Sequence, residues 1–205
     1  MVRPGYRRAM EVLPLFPVPV VLFPGAPMPL HIFEPRYRRM VARCLEYDKR
    51  FGLLYHDSDE GGPFLNDAGR VGTVAYIERC QPLPDGRSLI LVRGRDRFEL
   101  RRGIEQRELY YEAEIQPYPD ETRPLPGAIR RVRERTLELF QAVVQRLDDT
   151  PGEVPAFDLE RDLSFQLAPT VQIDARWQQS LLELRQECHR LERLDAVFQA
   201  AVDRA

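Results

Sequence analysis

Between residues 13 and 41 the chain reads LPLFPVPVVLFPGAPMPLHIFEPRYRRMV, seven prolines set among Leu, Val, Phe and Ile. Proline lacks an amide donor and fixes φ, which keeps it out of helix interiors and out of central strands. The residues around the prolines are core formers that favour burial. The stretch must therefore enter a core without being one long helix or one long central strand. Only VPVVLF, residues 18–23, is long enough for a strand that keeps proline at its edge. A turn is expected at Pro24-Gly25, then a second extended piece over residues 28–32.

A helix follows. Pro35 suits the first helical position, and Glu34 suits the positive end of the helix dipole. Tyr37, Met40, Val41, Cys44 and Leu45 recur at helical spacing as one apolar stripe, with Arg36, Arg38, Arg39 and Arg43 largely off it. From residue 51 to 118 the pattern is strand-like: FGLLYH, VGTVAYIERC, SLILVRGRDRFELRR and YYEAEIQPY are bounded by turn signals. LPDG at 83–86 reads as a hairpin turn, and Gly94 as a bulge or corner. PDETRPLPG, residues 119–127, breaks this pattern. Beyond it Ile129, Val132, Thr136, Leu139, Phe140, Val143 and Leu147 repeat with helical period. Asp158 is expected to cap a short helix carrying Leu159, Leu163 and Leu167, and Asp174 to cap one long helix running from Trp177 to Val202. The expected fold class is α+β, with a β domain and one inserted helix over residues 1–120 and a helical subdomain over 121–205.

The chemistry is limited by what is missing. Lys49 is the only lysine, and it stands in YDKRFG. No phosphate-binding Gly-Lys-Ser/Thr loop is present, and a Ser-Lys dyad would have to use this one polar-flanked lysine. No serine lies in a GxSxG elbow. His31, His56 and His189 have no metal-ligand spacing. DSDEGG at 57–62 begins like a calcium loop, but its twelfth position is Ala68 where a glutamate is needed. No catalytic residue, metal or cofactor is assigned. Cys44, Cys80 and Cys188 are odd in number and far apart, which fits reduced thiols and a cytoplasmic protein. No apolar run is long enough to span a bilayer, and prolines break the run that follows Arg3, Arg7 and Arg8. The net charge is −2, so no overall field attracts nucleic acid. RGRDR at 93–97 places Arg93, Arg95 and Arg97 on one face of a strand unless Gly94 shifts the register.

The ordered motifs FPG, PL and IFEPRY in residues 13–41 resemble the opening of the Lon protease N-terminal, substrate-binding domain, above all the stand-alone bacterial proteins built from that domain. GRVGTVAYIERCQPLPDGRSLILVRGRDRFEL resembles the next block, YYEAEIQPYPDE the closing strand, and DLSFQLAPTV with QQSLLELRQECHRLERL the helical tail. The resemblance implies a PUA-like β-barrel or twisted sheet with one inserted helix, followed by a C-terminal α-helical bundle. It implies a non-enzymatic module that recognises polypeptide, since the ATPase and protease modules of full-length Lon are not in this sequence. An adaptor or chaperone-like part in protein quality control follows, with an unfolded or partner polypeptide as ligand. A PUA-like nucleic-acid-binding module is the alternative, and a small-molecule pocket in the barrel a third. The polypeptide site is expected in a groove at the barrel–helix junction, near Pro29, Phe33 and Tyr37. Pro24, Gly25, Glu34, Pro35, Arg36, Gly72, Gly94 and Arg97 occupy motif positions with structural roles. Glu34 and Arg97 are expected to pair and tie the helix to the barrel.

Overall fold

The computed structural model describes residues 10–57, 59, 64–104, 108–121, 126–147 and 156–204. Most of the acidic run at 57–62, most of the loop at 148–157, and Arg3, Arg7 and Arg8 lie outside the described residues. The chain divides into two compact units, Met1–Pro119 and Asp120–Ala205. The described elements of the first are β1 (Glu11–Val18), β2 (Pro27–Ile32), α1 (Pro35–Glu46), β3 (Arg50–Tyr55), β4 (Val71–Pro82), β5 (Ser88–Gly103) and β6 (Tyr111–Pro117). The sheet order is β2-β5-β4-β3-β1-β6, and β5 also pairs with β6. Strands β5, β4, β3, β1 and β6 thus close on themselves, while β2 lies on the first half of β5 as an edge. The fold is α+β.

The first strand is displaced from the position that the prolines predicted. It runs Glu11–Val18 with Pro14 and Pro17 inside it, and residues 19–23 belong to no strand. The reason is that β1 changes partner midway. Residues 11–15 pair antiparallel with β6, and residues 15–18 pair parallel with β3. Each half carries a ladder on one side only, and a residue without an amide donor is tolerated on the open side.

Alternation along the strands builds two cores. Leu13, Leu15, Leu54, Val74, Phe98, Leu100, Ala113 and Ile115 come from all five strands of the closed cycle and fill the barrel. On the other face Phe16, Phe51, Leu53, Ala75, Ile77, Ile90, Val92 and Ile32 meet the α1 stripe of Tyr37, Met40, Val41 and Cys44. Phe98 is placed by a missing side chain. A Cβ on Gly72 would stand 2.6 Å from both the Phe98 ring and the Leu53 carbonyl oxygen, so the ring occupies the space over that glycine.

Residues 23–26 form the turn that connects into the edge strand. The Ala26 amide donates to the Phe23 carbonyl at 3.1 Å, with Pro24 second and Gly25 third at φ 79°. That is a type II turn, whose third position requires positive φ. The turn is pinned to Gly94 by two backbone bonds of 2.9 Å, Gly25 donating to the Gly94 carbonyl and the Gly94 amide to the Ala26 carbonyl. Beside it the β4–β5 register shifts between Thr73/Ala75. The extra residue separates the three arginines: Arg95 is exposed, whereas Arg97 is buried with its guanidinium 5.2 Å from the Tyr118 ring. They do not form one cationic face.

The helix motif falls where the sequence placed it, with Glu34 at the N-cap and Pro35 opening α1. The Glu34 carboxylate accepts from Arg36 Nε at 2.8 Å, so its ion pair is made two residues on and not with Arg97.

In the second unit the described helices are α2 (Pro126–Leu147), α3 (Leu163–Leu167), α4 (Ala175–Glu183) and α5 (Glu187–Arg204), with a 3-10 turn, Ala168–Thr170, after α3. Two sequence expectations change here. The cap of α3 is Asp162, which accepts from the Phe165 amide at 3.3 Å, while Asp158 makes a local turn with the Glu160 amide at 2.9 Å. Asp174 does cap its helix, accepting from Trp177 N at 2.9 Å, but that helix stops at Glu183 and a second starts at Glu187. Leu184 is extended, and its carbonyl accepts from Arg190 Nη1 at 2.6 Å. Arg190 is fully buried, with Asp120, Asp162 and Ser164 as further partners and its Cζ 4.2 Å from the Phe165 ring centroid. Beside it Glu187 takes Arg133 at 2.6 Å and the Leu163 amide at 2.9 Å.

Candidate functional site

The proline-rich segment ends in β2, which pairs with β5 over its whole length in one unbroken register, Pro27 opposite Arg93 through Ile32 opposite Ser88. Because the Gly94 amide donates to Ala26, even-numbered residues turn their backbone groups toward β5 and odd-numbered ones turn theirs to the open edge. Pro27 and Pro29 are odd-numbered. Of Pro27, Pro29 and His31, only His31 therefore offers an amide donor along that edge, although all three offer carbonyls. Adding another strand needs alternating donors and acceptors, so the edge resists it.

The same alternation sorts the side chains. Met28, Leu30 and Ile32 pack into the α1-facing core. Pro29 and His31 face the opposite way and are exposed. Cross-strand pairing extends this surface into two rows, Arg79–Leu91–Pro29 and Gln81–Leu89–His31, on strands about 4.8 Å apart. Phe33 continues it, 58% exposed, with its ring 5.7 Å from that of His31, and Leu89 is 45% exposed. Pro29, Leu89, His31 and Phe33, with the half-buried Leu91 between them, thus form a contiguous strip with an apolar majority, of the kind that marks interaction sites.

The strip lies on the sheet face opposite α1, not at the barrel–helix junction. Of the three residues expected to bind polypeptide, the structure brings Pro29 and Phe33 to this surface and leaves Tyr37 inside. Tyr37 is buried, its ring 4.4 Å from that of Phe16. Leu89, Leu91 and Arg79 were missed by sequence reasoning, since only the long-range pairing of β2 with β5 and β4 with β5 sets them beside Pro29.

Charge around the strip is unbalanced. Glu78 is held below the usual carboxylate range by the hydrogen bond from Arg93, Glu34 is paired with Arg36, and Asp85 with Arg87. Arg79 and Arg38 are exposed and form no salt bridge among the described residues, although the charge of Arg79 helps hold Glu78 low. Arg38 lies against the hairpin turn, its Cζ 3.0 Å from where a Gly86 Cβ would be.

Away from the strip, a concavity of about 210 Å³ is lined by Val12, Pro14, Tyr47, Arg43, Arg50 and Glu112 among others. Its arginines are already occupied, Arg43 by Tyr110 and Glu112, Arg50 by Glu11 and Asp48. It offers a ligand little unpaired charge.

Two neutral acids sit behind the strip in the α1-facing core. Burial pushes the Cys44 thiol from its ordinary 9.0 up to about 12, and burial likewise pushes the Tyr37 phenol from 10.0 up to about 12. The unfolded chain releases these protons first. Their contribution to stability is therefore complete below about pH 9 and declines from there toward about pH 12. Urea midpoints at about pH 8 and about pH 10.5 should show this loss, and Tyr37→Phe should reduce it. The variant should not weaken the protein near neutrality, because the Tyr37 hydroxyl is buried without a hydrogen-bond partner. A midpoint that stays level with pH would contradict the assignment.

The pattern of the ATP-dependent protease La (LON) substrate-binding domain matches residues 12–195 of this chain. The chain belongs to that family. Its relatives include a Lon protease of Cytophaga hutchinsonii, 26% identical over 180 residues that make up 84% of this chain and 22% of the relative. A LON peptidase N-terminal domain and RING finger protein of Schizosaccharomyces pombe is 40% identical over 94 residues, 40% of this chain and 19% of the relative. The chain thus spans about a fifth of these relatives. Among solved structures, the Lon N-terminal domain protein from Xanthomonas campestris is 28% identical with a TM-score of 0.61, covering 91% of this chain and 98% of that one. The N-terminal domain of the Mycobacterium avium complex Lon protease, at 15% identity and a TM-score of 0.69, covers 92% and 98% and shows the fold. In this Lon substrate-binding domain no group of three or more His, Cys, Asp or Glu residues suited to a metal ion comes together among the described residues. None of its described helices is long and apolar enough to cross a membrane.

Proposed function

We propose that this chain is a non-catalytic polypeptide-recognition module that takes an extended apolar stretch of an unfolded or partner chain on the β2–β5 face. One observation carries the reading: Pro29, Leu89 and Phe33 are exposed together, with the half-buried Leu91 between them, beside an edge that resists strand addition. Membership of the Lon substrate-binding family supports it. In this reading the protein acts as an adaptor or chaperone-like factor in quality control, in the cytoplasm, where Cys44, Cys80 and Cys188 stay reduced. Recognition rests on side chains more than on backbone pairing, so it tolerates many sequences of suitable hydrophobicity.

The test is fluorescence anisotropy with a labelled, permanently unfolded polypeptide and a labelled single-stranded RNA, at about 50 mM and about 500 mM salt. Polypeptide binding should survive the higher salt. Phe33→Ser and Leu89→Ser should each weaken it about 10-fold or more, the scale of one buried apolar side chain. Both positions are exposed, so folding should be unaffected. RNA binding that collapses with salt, in place of polypeptide binding, would move the function to nucleic acid.

A further inference from the structure

We infer that the strip selects polypeptide segments whose apolar anchor residues are flanked by carboxylates. This rests on the polypeptide reading above and adds a charge preference to it. The rim carboxylates Glu34, Glu78 and Asp85 are each matched by an arginine of the protein itself, Arg36, Arg93 and Arg87. Arg79 and Arg38 remain exposed and form no salt bridge among the described residues, although the charge of Arg79 helps hold Glu78 below the usual carboxylate range. Their placement is what gives them a role. Arg79 stands directly across β5 from Pro29, in the row Arg79–Leu91–Pro29, and borders the strip along β4. Arg38 stands over the β4–β5 turn at Gly86, at the end of the strands where Leu89 and Phe33 lie.

An extended segment seated on Leu91, Leu89 and Phe33 would have the Arg79 guanidinium along its β4 side and would end toward the hairpin turn that Arg38, carried by α1 on the other face, covers. A carboxylate on either flank meets an arginine that is in no salt bridge among the described residues, and a guanidinium can give a carboxylate two parallel hydrogen bonds. A lysine on either flank meets a like charge. The carboxylates nearest the strip compensate only in part, because each accepts hydrogen bonds from its own arginine. Both guanidiniums are exposed, so the preference is graded by salt over the Debye length.

Three labelled peptides with one central Leu/Phe segment test this, flanked by two Asp, two Ser or two Lys residues. At about 50 mM salt the Asp-flanked peptide should bind roughly 10-fold more tightly than the Lys-flanked one, with the Ser-flanked peptide between, and about 500 mM salt should compress the range. In the double variant Arg38→Gln/Arg79→Gln the ratio of Asp-flanked to Lys-flanked affinity should fall to within about 2-fold. Equal affinities for the three peptides, with Phe33→Ser still weakening binding about 10-fold or more, would overturn the charge preference and leave the polypeptide reading in place. A tighter Lys-flanked peptide would overturn it as well. Failure of all three to bind, or binding indifferent to Phe33→Ser, would overturn the reading on which the preference rests.

Discussion

Replacing Arg190 with methionine should destabilise the helical unit by about 3 kcal/mol, near the lower end of the range for breaking a buried ion pair. Arg190 has no exposed side-chain surface, and its guanidinium bridges Asp120 at 2.7 Å and Asp162 at 2.7 Å. Methionine fills much of the volume but removes the guanidinium that the two carboxylates share. Asp120 and Asp162 keep 24% and 31% of their side chains exposed, so water screens part of the penalty. The loss extends beyond charge. Ser164 Oγ and the Leu184 carbonyl lose a donor, and the break between α4 and α5 loses the group that satisfies it. Arg190→Lys should rescue little, since one ammonium cannot bond two carboxylates, a hydroxyl and a carbonyl in the guanidinium's plane. Trp177, the only tryptophan, lies in α4 and reports this unit, so urea titration by its fluorescence is the measurement. A change below about 0.5 kcal/mol, the size of an ordinary surface substitution, would show that Arg190 is not the anchor described.

Gly94→Ala should cost the β unit about 3–5 kcal/mol, combining overpacking with the loss of two backbone hydrogen bonds. A Cβ there would overlap the Phe23 carbonyl oxygen and stand 2.9 Å from its carbon. The obstacle is backbone, so no rotamer change relieves it, and the turn at residues 23–26 must lift from β5. Gly25→Ala separates the two reasons for glycine in this motif. Its Cβ meets nothing within 4 Å, but φ is 79°, so the cost is conformational and about 1–2 kcal/mol. Far-UV circular dichroism with hydrogen exchange of the 88–103 segment would record both variants. A Gly94→Ala protein with wild-type protection there would refute the close approach.

The glycine need at these positions was legible because FPG and the strand-interrupting Gly94 are local signals. The α1 boundaries were legible for the same reason, from Glu34-Pro35 and the stripe through Cys44. That stripe also held the answer for Tyr37: membership of the buried face of an amphipathic helix is incompatible with a place on an exposed binding surface. Pro29 and Phe33 were readable as site candidates, whereas their neighbours Leu89, Leu91 and Arg79 were not, being some 46 or more residues away along the chain.

By itself the sequence determined the α+β class, the turn at Pro24-Gly25, the amphipathic helix, the helical period after residue 127, and the family. These depend on residue type and short spacing, which a linear chain carries in full. Tertiary structure alone decided the other features. It placed β1 over two prolines, because β1 exchanges β6 for β3 midway and always has an open side. It split the last helix where no proline or glycine marks a break, because the buried Arg190 draws in the Leu184 carbonyl. It set Pro29 beside Leu91 and Arg79, and turned the donor-poor side of β2 to the open edge. Each of these depends on which backbone groups and charges distant segments bring together, and so on hydrogen-bond satisfaction across the fold.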